Sequence, residues 1–247
     1  MISKKLLISA TTAGFLLTPF ALQAADPVSN IGITGSHNKY KLSSDINALD
    51  NNKQRMPKAG IYYNYGNKMT GTEGLIYQAG IEAKYGKKSD VKDKEAVAEA
   101  DVGYRLDLGN RNYIDGIVGA GYRYSKVDDT KGNDVRFTTK SPFAKAGVGF
   151  NHKGDTVLTR LEVGTRYNIN SETKVKVQHL GSTTVDLKDK YNPYAELNFM
   201  WDKGYNDLPL TAGLYYNKTN YQLKDKRDIS NTKLKNDEFG VKVGLAF

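Results

Sequence analysis

Three histidines, His37, His152 and His179, and no cysteine make up the chain's inventory of imidazole and thiol. Nucleophilic or general-base catalysis needs such a group held within reach of a partner. None of the three stands in an Asp-x-His, His-x-Ser or Asn-His-x-Ser segment, the spacings used by hydrolases built on membrane barrels. His152 reads as turn surface and His179 as a solvated loop residue beside Leu180 and Gly181. No enzymatic activity is expected. The Asp-rich segment "KVDDTKGND" (126–134) lacks the spacing and terminal Glu of a calcium loop. No metal and no cofactor are expected.

The remaining chemistry is ionic. Charged residues fall into two sets, one alternating with apolar residues and one clustered between the alternating runs. The alternation has period 2 from residue 30 onward. "EAVAEADVGYRLDLG" places Ala96, Ala98, Ala100, Val102, Tyr104, Leu106 and Leu108 on one face, with Val97, Glu99, Asp101, Gly103, Arg105 and Asp107 on the other. "NYIDGIVGAGYRYSK", "TVLTRLEVGTRYNI" and "YNPYAELNFMW" behave in the same way. So does the terminal "EFGVKVGLAF", where Phe239, Val241, Val243, Leu245 and Phe247 oppose Glu238 and Lys242. Such runs are longer than an ordinary strand, and long enough to cross a bilayer at a tilt, which takes about 9–11 residues.

Ten such runs are counted, the first around Ile31 and Ile33 resting on the fewest residues. The fold class is therefore all-β: a transmembrane antiparallel up-and-down β-barrel of about ten strands. Short links are expected at 66–74, 109–112, 151–156 and 202–207, and longer polar links at 44–57, 86–95, 127–135, 170–190 and 222–236. Short turns on the periplasmic side and long loops outside are the habit of bacterial outer-membrane barrels. Outward aromatics sort into two belts with small aliphatics between them. Tyr85, Tyr122, Tyr124, Tyr167, Tyr191, Tyr216 and Phe239 lie towards the outer end. Tyr65, Tyr77, Phe150, Phe199, Trp201 and Phe247 lie towards the periplasmic end. A soluble sandwich or lipocalin-like barrel also alternates, but it would bury its apolar face and coat the outside with charge.

The inward set carries Glu82, Glu99, Asp101, Asp107, Asp115, Glu162, Glu196 and Glu238 against Arg105, Arg123, Lys145, Arg160, Arg166 and Lys242. Buried charges need partners, so this near-balance implies an internal ion-pair network filling the lumen. The alternative is a narrow porin-like channel for small solutes, favoured by inward glycines that remove filling volume. A channel for acidic solutes would carry a clear basic excess.

Positive charge concentrates between the runs. Lys87, Lys88, Lys92 and Lys94 lie in the second external link, and Lys224, Lys226, Arg227, Lys233 and Lys235 in the fifth. Such clusters can hold sulfated or phosphorylated polymers through several charge-assisted contacts, with Tyr40 and Tyr221 near enough to stack on sugar rings. The same lysines could instead pair with lipopolysaccharide phosphates, or simply be solvated.

The first residues, "MISKKLLISATTAGFLLTPFALQAAD", combine Lys4 and Lys5 with an apolar run and small residues, the pattern of a secretory signal. Residues 1–24 are assigned to it, with cleavage after Ala24 or Ala25, and 25–247 to the barrel. Loss of its two lysines takes the formal charge from +9 to +7. No nucleic-acid partner is expected of an exported barrel. The expected partners are the outer membrane with its lipopolysaccharide and acidic glycans or matrix proteins. The outer-membrane assembly machinery, reading the terminal Phe247, completes the set.

"AGLYYNKTNYQLKDK" followed by "DEFGVKVGLAF", with "YNPYAELNF" upstream, resembles the end of the Opc-type opacity adhesins of the bacterial outer membrane. The resemblance covers the last quarter to third of the mature chain. It implies a ten-stranded barrel with five basic external loops that binds host proteoglycan or matrix glycoprotein. No individual binding residue carries over, so those named above rest on charge alone.

Overall fold

The computed structural model describes residues 25–43, 52–129, 135–177, 181–224 and 233–247. The signal segment 1–24, His179, Lys226 and Arg227, and the end of the Asp-rich segment lie outside these residues. The strands are β1 (Val28–Ser43), β2 (Asn52–Gly66), β3 (Gly74–Lys88), β4 (Val91–Gly109), β5 (Asn112–Asp129), β6 (Val135–Lys153), β7 (Val157–Asn168), β8 (Glu172–Val177), β9 (Gly181–Asp186), β10 (Tyr191–Trp201), β11 (Leu210–Gln222) and β12 (Lys233–Ala246).

Ten of them close a barrel. Each of β1 to β6 pairs antiparallel with the next, β7 pairs with β10, β10 with β11 and β11 with β12. The remaining steps of the ring follow the same antiparallel rule. β12 then pairs with β1 from Asn30↔Ala246 to Ser43↔Lys233, which removes the sheet's edges. β8 and β9 form a hairpin added to the outer end of β6, beside the point where β7 stops. The bridge Leu187↔Leu223 and the bonds Lys188 N to Gln222 O and Lys224 N to Asp186 O tie the end of this hairpin to β11. Above the ends of β7 and β10, the hairpin therefore takes their place in the wall.

The expected short links are present: residues 67–73, Asn110–Arg111, 154–156 and 202–209. The long links are shorter than expected. The supposed loop 86–95 is a tight turn at Ser89–Asp90, with Ser89 in the left-handed region at φ 51°. Lys87, Lys88, Lys92 and Lys94 are therefore strand residues. The region 170–190 contains the β8–β9 hairpin, β2 begins at Asn52, and Lys233 and Lys235 lie on β12. Polar composition misled here: once a hairpin projects into water on both faces, its strands no longer need an apolar side. The weakly signalled first strand runs for 16 residues, from Val28 to Ser43.

The molecule is inside out. Ile33, Ile61, Ile81, Val118 and Val163 are exposed on the outer wall, while Lys58, Lys84, Arg105, Arg160 and Glu162 are buried within. Water cannot be the solvent of that outer face, and closed barrels satisfy every strand bond within the bilayer.

Candidate functional site

The lumen is occupied by side chains. Its acids are Glu82, Asp93, Glu95, Glu99, Asp101, Asp115, Glu162, Glu196 and Glu238; its bases are Lys58, Lys68, Lys84, Arg105, Arg123, Lys145, Arg160, Arg166 and Lys242. Among the described residues the two sets are equal in number, so their filling is neutral. Towards the outer end, Lys58 bridges Asp93 and Glu95, both at 2.7 Å. At mid-depth, Lys84 donates to Glu238 at 2.6 Å and Lys145 reaches Glu99, Asp101 and Glu162 within 3.1 Å. Arg166 pairs with Glu99 at 3.0 Å, and Lys242 with Glu82 at 2.7 Å. Deeper still, Arg105, Asp115, Asn151, Arg160 and Glu162 form one cluster; Arg160 donates to both Asp115 and Glu162.

Two features complete the seal. The first is the turn 67–73, which folds back into the periplasmic mouth. Arg105 donates to the carbonyls of Thr70 and Lys68, the latter at 2.7 Å. Lys68 itself lies 2.7 Å from Asp101 and 2.9 Å from Glu162. The second is a set of inward tyrosines lying over inward glycines. Tyr194 covers Gly147 and Gly164, where an added Cβ would meet its hydroxyl at 2.5 and 2.7 Å. Tyr215 covers Gly240 in the same way, and Tyr62 covers Gly32 and Gly244. The volume the glycines give up is thus taken by phenol rings. The tyrosines also serve the charges, since Tyr194 donates to Glu162 at 2.9 Å. A cavity of about 60 Å³ lies at the periplasmic end, lined by Asn30, Tyr62, Asn64, Lys68, Gln78, Arg160, Glu196 and Lys242.

Every lumen residue singled out in sequence is inward: Glu99, Asp101, Arg105, Arg123, Arg160, Glu162, Arg166 and Lys242. Asp107 is the exception. It is exposed at the periplasmic rim and accepts a bond from Gly109 N at 2.7 Å, capping the β4–β5 turn. Lys68 was missed because it lies in a turn, outside the alternation. Asp93 and Glu95 were missed because they fall in the stretch 86–95 read as loop, and Lys58 because it lies between the expected link 44–57 and the strand expected after it.

The basic external residues do not converge over the mouth. Strand parity turns Lys87, Lys92, Lys94 and Lys235 sideways, onto the outer wall. Lys87 stands opposite Lys92, Lys94 opposite Lys126, and Lys41 opposite Lys235. Lys88 and Lys233 are exposed at strand ends, and Lys224 is exposed just after β11. Tyr40 points inward, donating to Asp93 at 2.6 Å, and Tyr221 shares the parity of the buried Thr219, so neither presents a ring for sugar stacking. On the projecting β5–β6 hairpin, burial pushes the Asp128 carboxyl up. The Arg136 hydrogen bond and charge, with Lys126 behind them, outweigh it and hold the group below the ordinary range. His152 sits in the periplasmic hairpin with Nδ1 2.9 Å from Asn112 Oδ1, and His37 faces outward in register with Phe239.

An apolar outer wall, aromatic residues near both ends and a closed, ion-filled interior decide the setting. The protein is a bacterial outer-membrane β-barrel. No family model matches the chain, and no curated protein matches its sequence. Its fold is similar to that of the outer-membrane protease OmpT from Escherichia coli, with TM-score 0.56 and 10% identity over 91% of this chain and 97% of that one. The translocator domain of the autotransporter NalP from Neisseria meningitidis gives TM-score 0.44 at 12% identity, over 92% of each chain. The outer-membrane protein AlkL gives TM-score 0.44 at 14% identity, over 100% of this chain and 96% of that one.

Proposed function

We propose that this barrel is a surface-binding protein, an adhesin for acidic glycans or matrix glycoproteins, rather than a solute channel. The observation that carries the reading is the neutral, self-paired lumen. With its inward charges spent on one another, the chain keeps its basic excess for the outside. On the added wall β6–β8–β9, Lys174 and Lys176 are exposed beside Arg136. Lys87 and Lys92 flank it at the β3–β4 tip. Lysines a strand apart match the repeat of a sulfated or phosphorylated polymer better than a single small anion. The Opc-type likeness of the closing strands points the same way.

Binding of refolded protein to immobilised heparin is the test. Retention should fall steeply between low and physiological salt, because exposed charges are screened over about 8–10 Å. Lys174→Glu with Lys176→Glu, and Lys87→Glu with Lys92→Glu, should each weaken it. Undiminished binding by the fourfold variant would end the adhesin reading. Steady ion conductance in planar bilayers would favour the channel instead.

A further inference from the structure

One sector of the outer wall has a chemistry of its own. Across β11, β12, β1 and β2, the paired residues form level rows. The row Ala212–Val243–Ile33–Ile61 is apolar, and so is Leu214–Val241–Gly35–Ala59 above it. Then comes Tyr216–Phe239–His37–Pro57, then Lys218–Asp237–Lys39–Arg55, then Asn220–Lys235–Lys41–Lys53. Each step is two residues, about 5 Å of height for a strand tilted by roughly 40°. The wall thus passes from lipid-facing aliphatics, through an aromatic belt, to cations within about 10 Å.

The top row is the unusual one. Lys235 and Lys41 stand in register on adjacent strands, about 4.8 Å apart, just above the opposed Lys39 and Arg55. Like charges directly opposite one another destabilise a sheet. Among the described residues, Asp237 is the one carboxylate on the outward face of these four strands, and it already accepts the Tyr216 hydroxyl at 2.9 Å. Two opposed pairs of cations, Lys41 with Lys235 and Lys39 with Arg55, with Asp237 as the one outward carboxylate among the described residues of these strands, call for an anion from outside the chain. The aliphatic rows beneath say that this anion belongs to an amphiphile lying against the barrel. A zwitterionic headgroup with one phosphate does not match the row, whereas a glycolipid with several phosphates and several acyl chains does.

We propose that the β11–β12–β1–β2 face is a binding site for lipopolysaccharide. Lys41 and Lys235 hold its phosphates with Lys39, Arg55 and Lys218, and Phe239 and Val241 meet its acyl chains. This site is separate from the projecting β6–β8–β9 wall of the adhesin reading.

The experiment compares the full barrel with its Lys41→Gln/Lys235→Gln variant in neutral maltoside micelles, following thermal unfolding as bisphosphorylated lipid A is added. In bare detergent the variant should be at least as stable as the parent, because the repulsion is gone. With lipid A the order should reverse: the parent gains stability, and the variant binds at least tenfold more weakly. Dephosphorylated lipid A should protect parent and variant equally and poorly. Equal gains from lipid A by both proteins, or equal protection of the parent by phosphorylated and dephosphorylated lipid, would overturn the site. So would protection of the parent by heparin that the Lys41→Gln/Lys235→Gln pair abolishes, since that would make this face a soluble-polymer site. Loss of heparin binding on reversing Lys174 and Lys176 alone would leave the lipid result untouched, so the two readings fail separately.

Discussion

Arg105 and Asp115 form a two-pronged ion pair in the floor of the barrel, Nε to Oδ1 at 2.7 Å and Nη2 to Oδ2 at 3.0 Å, both side chains fully buried. They face each other across β4 and β5 as direct register partners. The free edge of the same guanidinium holds the carbonyls of the turn 67–73, so a strand–strand contact and the periplasmic seal share one residue.

Arg105→Met and Asp115→Asn should therefore differ in kind. Breaking a buried pair by removing one partner costs about 3–5 kcal/mol, and both variants should lose stability in urea titrations of the refolded barrel. Only Arg105→Met releases the turn. Limited proteolysis or amide exchange should show residues 67–73 newly accessible in Arg105→Met and still protected in Asp115→Asn. Equal protection in both would mean that Lys68, through Asp101 and Glu162, holds the turn by itself.

The tyrosine–glycine seats predict a coupled pair. At Gly240 the obstacles to a Cβ are the ring and hydroxyl of Tyr215. Gly240→Ala should cost about 1–3 kcal/mol by overpacking. In a Tyr215→Ala background most of that cost should vanish, giving a double-mutant coupling above about 1 kcal/mol. Additive losses would show that the backbone of β12, and not the ring, demands the glycine.

The closed lumen predicts electrical silence. Planar bilayers containing the wild-type barrel should show no steady conductance, because Lys145, Arg166 and their acids fill the mid-depth even where the cavity of about 60 Å³ begins. Lys68→Glu places an acid against Asp101 and Glu162 and should expel the turn. The mid-depth pairs should still block current.

What the sequence showed and what it hid divide along the membrane boundary. Within the bilayer the two solvents differ sharply, and each strand residue must suit lipid or lumen. Ala96 to Leu108 and Phe239 to Phe247 therefore announce both strand and face. Above the bilayer, water bathes both sides of the wall. Lys87, Lys92 and Lys94 lost the alternation and read as loop although they are paired residue by residue with one another or with β5. Lys68 was hidden for a different reason. A turn that folds inward carries no period, and only the acids awaiting it, Asp101 and Glu162, hinted that a cation was missing from the inward count.

The projecting β5–β6 hairpin should respond to acid. Arg136 donates to Asp128 across the pair, with Lys126 3.6 Å away on the same face. The carboxyl is held below its ordinary range in the folded state, so its ionised form favours the fold. That contribution is fully present above the unfolded Asp value of about 3.9 and is lost as pH falls through the lower folded value. It should amount to no more than about 1 kcal/mol, because the pair is partly solvated. Amide protection at Val127 and Phe137, corrected for intrinsic exchange, should be constant from neutral pH to about 5 and drop below 4. Asp128→Asn should remove the drop and show the lower protection at every pH. A drop that survives Asp128→Asn would assign the acid response to another carboxylate of the external wall, such as Glu172 against Lys140 at 3.2 Å.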